Sequence, residues 1–190
     1  VNVYSHFTEQ WIWPRGFSLR NLLASRDTPS VLSGQLSLKE SIIQQYLADG
    51  DSDVDAIYRL TSNSNIKFKG DQTVFLEAGQ FCPFNSQNTI ISRSVVRDYF
   101  LFPHIGRMDD IWAAYYIQSK GNKVVFSKPG VLSDRSLGTA GRYSMVEDMK
   151  REYIGMENNM ELLADLAEDT NSIKRYLPER SIEAFEEWQN

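Results

Sequence analysis

Two neighbouring carboxylates, Asp109 and Asp110, lie in the segment GRMDDIWAAYY, which runs from Gly106 to Tyr116. The apolar residues Ile111 and Trp112 follow at once, so the spacing predicts a helix that starts with Asp109 and Asp110. One carboxylate is enough to accept hydrogen bonds from the free N–H groups at a helix start. The other can face a cleft, as a general base for an acceptor hydroxyl or as an acceptor that orients a sugar. A purely structural cap is the alternative.

The stretch WPRGFSLR, from Trp13 to Arg20, is the second candidate for chemistry. Arg15 stands between a proline and a glycine, with aromatic residues that include Trp13 on both sides. Aromatic rings stack on sugar faces or sandwich a guanidinium, and a guanidinium binds a diphosphate bidentately. Arg107 could equally pair with the acidic doublet or hold a phosphate. The alternative for Arg15 is an ordinary surface charge beside an aromatic cluster.

A run of neutral hydrogen-bonding side chains fills PFNSQNT, from Pro83 to Thr89. Asn85, Gln87 and Asn88 carry amide donors and acceptors that suit a hydroxyl-rich ligand. Turns and strand edges use the same residue types, so a structural role is the alternative.

The acidic stretch DGDSDVD, from Asp49 to Asp55, makes Asp51 and Asp53 candidate metal ligands, because hard cations bind several oxygens. The spacing does not match an EF-hand loop, which needs Gly at its sixth position and Glu at its twelfth. An acidic turn is therefore the main alternative. His6 and His104 lack a second ligand at metal-binding spacing, and we expect structural roles for both.

Composition excludes several classes of protein. The 190 residues carry 20 basic and 25 acidic side chains, a net charge of -5, with no basic run that could follow a phosphate backbone. Nucleic acid is therefore not expected as a partner. No apolar run is long enough to span a bilayer, and no leader segment is visible. The single cysteine, Cys82, excludes an internal disulfide and is expected to be buried.

Apolar spacing predicts alternating strands and helices followed by long amphipathic helices. We expect an α/β domain at 1–143 and a helical extension of the same domain at 144–190. The predicted helices lie at 38–48, 92–99, 110–120 and beyond 144, and the predicted strands at 55–60, 73–78, 89–91 and 122–128.

Four blocks, taken in order, carry a family resemblance: WPRGFSLR, DVDAIYRLT, CPFNSQNTIIS and GRMDDIW. Together they resemble the STELLO family of glycosyltransferase-like proteins and, more distantly, the reversibly glycosylated polypeptides, which are UDP-arabinopyranose mutases. The resemblance implies a glycosyltransferase fold of the A type. The blocks belong to its second, acceptor half, since the buried strand ending in Asp-x-Asp that precedes them in the family is missing from Val1–Gln10. The N-terminal nucleotide-binding half is thus expected to lie outside this chain or to be absent.

By the resemblance, Arg15 matches the arginine that becomes glycosylated in the mutases, and Asp109 and Asp110 match an acidic pair at the sugar site. The resemblance implies transfer of a sugar, or a mutase-like reaction, from a nucleoside-diphosphate sugar to a glycan or protein acceptor with Mn2+ or Mg2+. Asp110, or failing that Asp109, is the expected catalytic carboxylate. The expected substrate contacts are Arg15, Arg107, Trp13, Asn85, Gln87, Asn88 and Trp112.

Two non-catalytic functions remain as alternatives to a transferase. One is a scaffold that binds a protein partner through the C-terminal helices, whose apolar stripes would stay partly exposed. The other is a carbohydrate-binding module. The sequence leaves the compartment open between the cytoplasm and the Golgi.

Overall fold

The computed structural model describes residues 1–26, 43–62, 65–134 and 145–190. Within these ranges four strands form one mixed sheet in the order β2-β4-β1-β3. The two central strands, β1 and β4, run parallel, and the two outer strands are antiparallel to them. The strands are β1 (Ile43–Gly50), β2 (Thr73–Leu76), β3 (Thr89–Ile91) and β4 (Val124–Ser133). The predicted α/β class is thus confirmed.

Helices surround this sheet and make up the C-terminal part of the chain. The α-helices are α1 (Leu19–Arg26), α2 (Ala56–Thr61), α3 (Asp109–Ser119), α4 (Met145–Glu168) and α5 (Glu179–Gln189). Short 3-10 helices cover Val3–His6, Val96–Asp98, Gly106–Met108 and Thr170–Arg175.

Helix α3 lies at the centre of the molecule, and its side chains from Asp110 to Gln118 are all buried. Ala114 and Ile117 pack into the hydrophobic cluster formed with the sheet. Trp112 and Tyr116 pack into a second cluster formed with the C-terminal helices. Because α3 is covered on both sides, its first turn is held in place by the whole hydrophobic core.

The helix predicted at 38–48 is wrong over the part that the structure describes, since β1 begins at Ile43; residues 38–42 lie outside the described ranges. Ile43, Gln45 and Leu47 are buried in alternation, as a strand requires. Gln45 is polar, which hid this period in the sequence. Its amide is satisfied inside the sheet, because Nε2 donates to the Tyr46 carbonyl at 2.7 Å and Oε1 accepts from the Thr89 hydroxyl at 2.7 Å.

The strand predicted at 55–60 is also wrong, because Asp55 starts helix α2 there. Its carboxylate accepts from the backbone N–H groups of Ile57 at 2.8 Å and Tyr58 at 3.4 Å. This capping favours a helix over the strand that the β-branched and aromatic residues indicated. Of the helix predicted at 92–99, only the 3-10 turn Val96–Asp98 forms.

The other elements predicted from sequence are confirmed. Strands β2 and β3, helix α3, the first part of β4 and the long C-terminal helices all form where the patterns placed them. Pro178 directly precedes α5, and Cys82 is buried as expected. The predicted boundary at 143/144 falls in 135–144, outside the described residues.

Gly16 packs tightly against α3, with a φ angle of +98° that disfavours any residue with a side chain. A Cβ atom at this position would lie 2.5 Å from Cγ2 of Ile111 and 3.0 Å from Cβ of Pro83. Gly79 has a similar φ angle of +85° but no heavy atom within 4 Å of such a Cβ. Substitutions at Gly79 therefore test backbone strain alone, whereas substitutions at Gly16 test backbone strain together with steric crowding.

We predict that Gly79→Ala lowers the free energy of unfolding by about 1 kcal/mol, through strain at positive φ. Gly16→Ala should lower it by about 2–4 kcal/mol, because overpacking adds to the same strain. Urea unfolding followed by circular dichroism measures both values. Equal losses in the two variants would show that α3 tolerates a methyl group at position 16.

Candidate active site

Arg15 is buried, not an ordinary surface charge. Only 8% of Arg15 is exposed to solvent. Arg15 lies in a turn that is closed by a hydrogen bond of 2.8 Å from the Trp13 indole N–H to the Phe17 carbonyl. The carbonyl of Gly16 accepts from the Tyr115 hydroxyl at 3.0 Å and from the Asn159 amide at 2.8 Å. The turn is therefore fastened to α3 and α4 from within the core.

Two carboxylates hold the Arg15 guanidinium. Nε lies 2.9 Å and 3.0 Å from the two oxygens of Asp53, and Nη2 lies 2.9 Å from Asp53 Oδ2. On the other side Nη2 donates to Asp110 Oδ2 at 3.0 Å, while Nη1 donates to the Arg107 carbonyl. Burial alone would lower the pKa of Arg15, but the two carboxylates outweigh it and raise this pKa well above its ordinary value.

Asp110 is fixed within this arrangement. Its Oδ2 also accepts from the backbone N–H of Ser86 at 3.0 Å and from the Ser86 hydroxyl at 3.3 Å. Its Oδ1 lies 2.9 Å from Arg15 Nη1, a charge contact outside hydrogen-bond geometry. With these contacts Asp110 acts as a rigid, charge-neutralised part of the site rather than as a free carboxylate.

Asp109 has a different environment from its neighbour. It is less buried than Asp110, and burial followed by the negative charge of Asp110 raises the pKa of its carboxyl. A raised pKa makes the carboxylate a stronger base once it is ionised. The acidic doublet therefore divides into one fixed member and one member with raised basicity.

These residues line a common pocket of about 330 Å³, a volume typical of small-ligand sites. Three carboxylates and two guanidiniums contribute to its walls, and two amides add neutral donors and acceptors. The lining consists of Arg15, Asp53, Asn85, Gln87, Gly106, Arg107, Asp109 and Asp110. Arg15 and the two carboxylates of the acidic doublet, all of which the sequence marked as candidates, thus line one cavity.

Three of the predicted substrate contacts lie outside this lining. Trp13 closes the Arg15 turn, and Trp112 is buried with its indole N–H donating to the Asn159 side chain at 2.7 Å. Asn88 donates to the Leu47 carbonyl at 3.3 Å and so connects to β1. The contacts of these three residues stabilise the framework of the pocket.

The candidate metal ligands are both engaged by arginines. Asp53 gives its two oxygens to Arg15, and Asp51 lies 3.4 Å from Arg59 Nε. A guanidinium thus occupies the position between Asp53 and Asp110 that a bridging cation would need. In the part of the chain that the structure describes, no three His, Cys, Asp or Glu side chains are grouped to hold a metal. The oxygen ligands present here do not fit a Mn2+ or Mg2+ site. A requirement for one of these metals remains an expectation from the family resemblance.

Sequence reasoning missed a buried carboxylate behind the pocket, Glu152 of α4. Its Oε1 lies 2.8 Å from Arg107 Nε, and its Oε2 accepts from the Ala56 backbone N–H at 2.7 Å. No sequence signal marked this residue, because it stands among other charged residues of an amphipathic helix. Ser86 was visible in the polar run but was not among the predicted site residues.

Asp55 shares this buried region with Glu152. Burial, and then the negative charge of Glu152, raises the pKa of Asp55 to about 6. Among the described residues its Oδ2 has no hydrogen-bond partner, which suits a carboxyl group that carries a proton near this pH.

We predict that Asp55→Asn changes how stability depends on pH. The raised pKa means that the folded chain binds a proton between about pH 4 and pH 6 that the unfolded chain does not. The natural chain should therefore gain stability relative to Asp55→Asn as the pH falls from 7 to 4. Asparagine keeps the helix cap. Urea unfolding across this range measures the difference, and parallel curves would contradict the prediction.

Asp71 gives a control of opposite sign for this experiment. The hydrogen bond from Lys128, followed by the lysine charge, lowers the pKa of Asp71 on the surface. Its contribution is present above about pH 4 and is lost as the pH falls through the lowered pKa, so in an unfolding series extended below pH 4 Asp71→Asn should change the pH dependence in the other direction.

We predict that Asp110→Asn lowers the free energy of unfolding by about 3 kcal/mol, because it removes one of the two charges that neutralise buried Arg15. Asp71→Asn, which neutralises an exposed carboxylate, should change it far less, because solvent screens the charge. Urea unfolding at pH 7 compares the two variants. A loss at Asp110 no larger than that at Asp71 would show that the buried ion pair adds nothing to stability.

Comparisons with known proteins agree with the family resemblance at a coarse level. No protein-family model matches the chain. The chain is similar to a protein of Arabidopsis thaliana named probable glycosyltransferase STELLO2, with 27% identity over 163 residues. The similarity covers 77% of this chain and 19% of that protein. It supports a distant glycosyltransferase-like relationship, whereas the link to the mutases stays a prediction.

The helices of the described residues include none that is long and apolar enough to cross a membrane.

Proposed function

We propose that this chain is the acceptor half of a nucleotide-sugar-dependent glycosyltransferase of the A type, which transfers a sugar to a hydroxyl acceptor. One observation carries the proposal: buried Arg15 joins Asp53 and Asp110 into a fixed polar wall of a 330 Å³ pocket. The distant similarity to a protein named as a glycosyltransferase supports the same reaction class. The chain spans 19% of that relative, so donor and acceptor are part of the proposal.

The proposed catalytic base is Asp109. Its raised pKa favours proton abstraction from an acceptor hydroxyl, and its side chain lines the pocket. The sequence favoured Asp110 first, but the oxygens of Asp110 are occupied by Arg15 and Ser86. Asp110 is proposed instead to hold the pocket wall by keeping Arg15 in place.

The pocket suits the sugar better than the diphosphate. Both carboxylates beside Arg15 neutralise its charge, and Arg107 is neutralised in turn by Glu152. Asn85 and Gln87 supply amides that can hydrogen-bond hydroxyl groups in either direction. A hydroxyl-rich, uncharged group is therefore the proposed occupant, and the diphosphate would lie outside this pocket.

A carbohydrate-binding module without transferase activity is the second candidate. It is favoured by the internal pairing of Arg15, which leaves this guanidinium little capacity to stabilise a leaving group. A scaffold acting through the C-terminal helices has less support. Leu162, Leu166 and Phe185 of these helices are buried in the core, which leaves exposed aromatic residues such as Tyr153 and Trp188 for a contact of this kind. A protein partner at these helices remains a proposal.

We predict that Asp109→Asn lowers kcat for sugar transfer from UDP-sugars by about 100-fold or more, the usual effect of removing a general base. The fold should be retained, because the carboxylate of Asp109 is not part of the buried ion pair. The measurement is transfer, or donor hydrolysis, by the full-length protein. Asp71→Asn is the matched control for the loss of one acidic charge.

Unchanged activity in Asp109→Asn would overturn the assignment of the base. Equilibrium binding of free monosaccharides separates the two candidate functions. Sugar binding without any transfer by the full-length protein would favour the carbohydrate-binding module.

A further inference from the structure

The buried carboxylate of Glu152 joins two parts of the pocket from behind. Its side chain is 1% exposed, and its two oxygens bind Arg107 Nε and the Ala56 N–H at the start of α2. Arg107 lines the pocket and is 23% exposed, so a ligand can reach it. Its guanidinium would be a natural phosphate-binding group without this negative charge 2.8 Å away.

Close packing fixes the arginine relative to α4. A Cβ atom on Gly155 would clash with Cγ of Met108, and one on Gly106 would lie 3.0 Å from the Arg151 carbonyl oxygen. The turn that carries Arg107 therefore lies directly on the helix that carries Glu152. The ion pair is held by backbone packing as well as by its own charges.

We propose that Glu152 is a specificity-determining residue that neutralises Arg107 and keeps the pocket selective for an uncharged, hydroxyl-rich group over a phosphate. The nature of the preferred ligand rests on the proposed function, whereas the exclusion of phosphate rests on the ion pair alone. Glu152 acts through Arg107 and does not line the pocket itself.

Inorganic pyrophosphate is the probe that tests this proposal. Glutamine at 152 keeps one oxygen that can accept from the Ala56 N–H, while its NH2 group replaces the oxygen that accepts from Arg107 Nε, so both the negative charge and the bond to Arg107 are removed. Because Asp55 lies close enough to interact with both Glu152 and Arg107, its carboxylate could replace the lost charge, so Asp55→Asn is used as the background. The comparison is between Asp55→Asn and the double variant Asp55→Asn/Glu152→Gln, by calorimetric titration at pH 7.

The double variant should bind pyrophosphate about tenfold more tightly than its background, the factor expected from one more available charge-assisted hydrogen bond. Glu161→Gln in the same background, which neutralises an exposed residue of α4, should leave the affinity unchanged. Equal affinities in the double variant and the background would overturn the proposal. So would an equal gain with Glu161→Gln, since the effect would then come from net charge.

A measurement on the unaltered chain keeps the proposal testable if the double variant does not fold. The Nε–H resonance of Arg107 in a 15N NMR spectrum should not move during a pyrophosphate titration, because Glu152 already occupies that edge. A saturating shift of this resonance would overturn the proposal. Pyrophosphate carries no sugar, so these outcomes do not depend on whether the proposed transfer reaction is correct.

Discussion

A guanidinium removed from water must be neutralised by neighbouring charge, and in this chain that requirement is met by placing Arg15 between Asp53 and Asp110. The three residues come from a turn near the N-terminus, the segment before α2 and the first turn of α3. Their pairing draws these segments to one point and creates the wall of the pocket. If one carboxylate were lost while the other segments stayed packed, a charge would be left buried without full compensation, so the three segments stabilise one another.

The helices behind this ion-pair cluster hold it by close contact. Gly16 approaches two helices so closely that its carbonyl accepts from Tyr115 of α3 and from Asn159 of α4. Gly155 lets α4 approach Met108 in the same way. Because the residues at these positions are small, the long amphipathic helix α4 packs directly behind the pocket and stabilises it. In the sequence alone, such a helix suggested a binding surface for a protein partner.

Environment gives the adjacent residues Asp109 and Asp110 different chemistry. Asp110 is paired with the Arg15 guanidinium and accepts hydrogen bonds from the backbone N–H and the hydroxyl of Ser86. Asp109 is desolvated and faces the charge of Asp110, so its pKa rises. Two carboxylates of one type can then serve, one as the fixed partner of Arg15 and the other as a base. The same reasoning applies to Asp55 beside Glu152, where burial and a like charge favour the protonated form.

Local patterns in the sequence were enough to predict α3 with its acidic start, strands β2 and β3, and the C-terminal helices, because helix and strand periodicity are properties of short segments. They also marked Arg15 and the acidic doublet as chemically unusual. Only the tertiary structure decided that β1 is a strand, since its buried Gln45 depends on hydrogen-bond partners in neighbouring strands. It also decided that Asp53 pairs with Arg15 and that Glu152 neutralises Arg107, across 38 and 45 positions of the chain. Such pairs form where folding removes charges from water, and that depends on packing between distant segments rather than on local sequence.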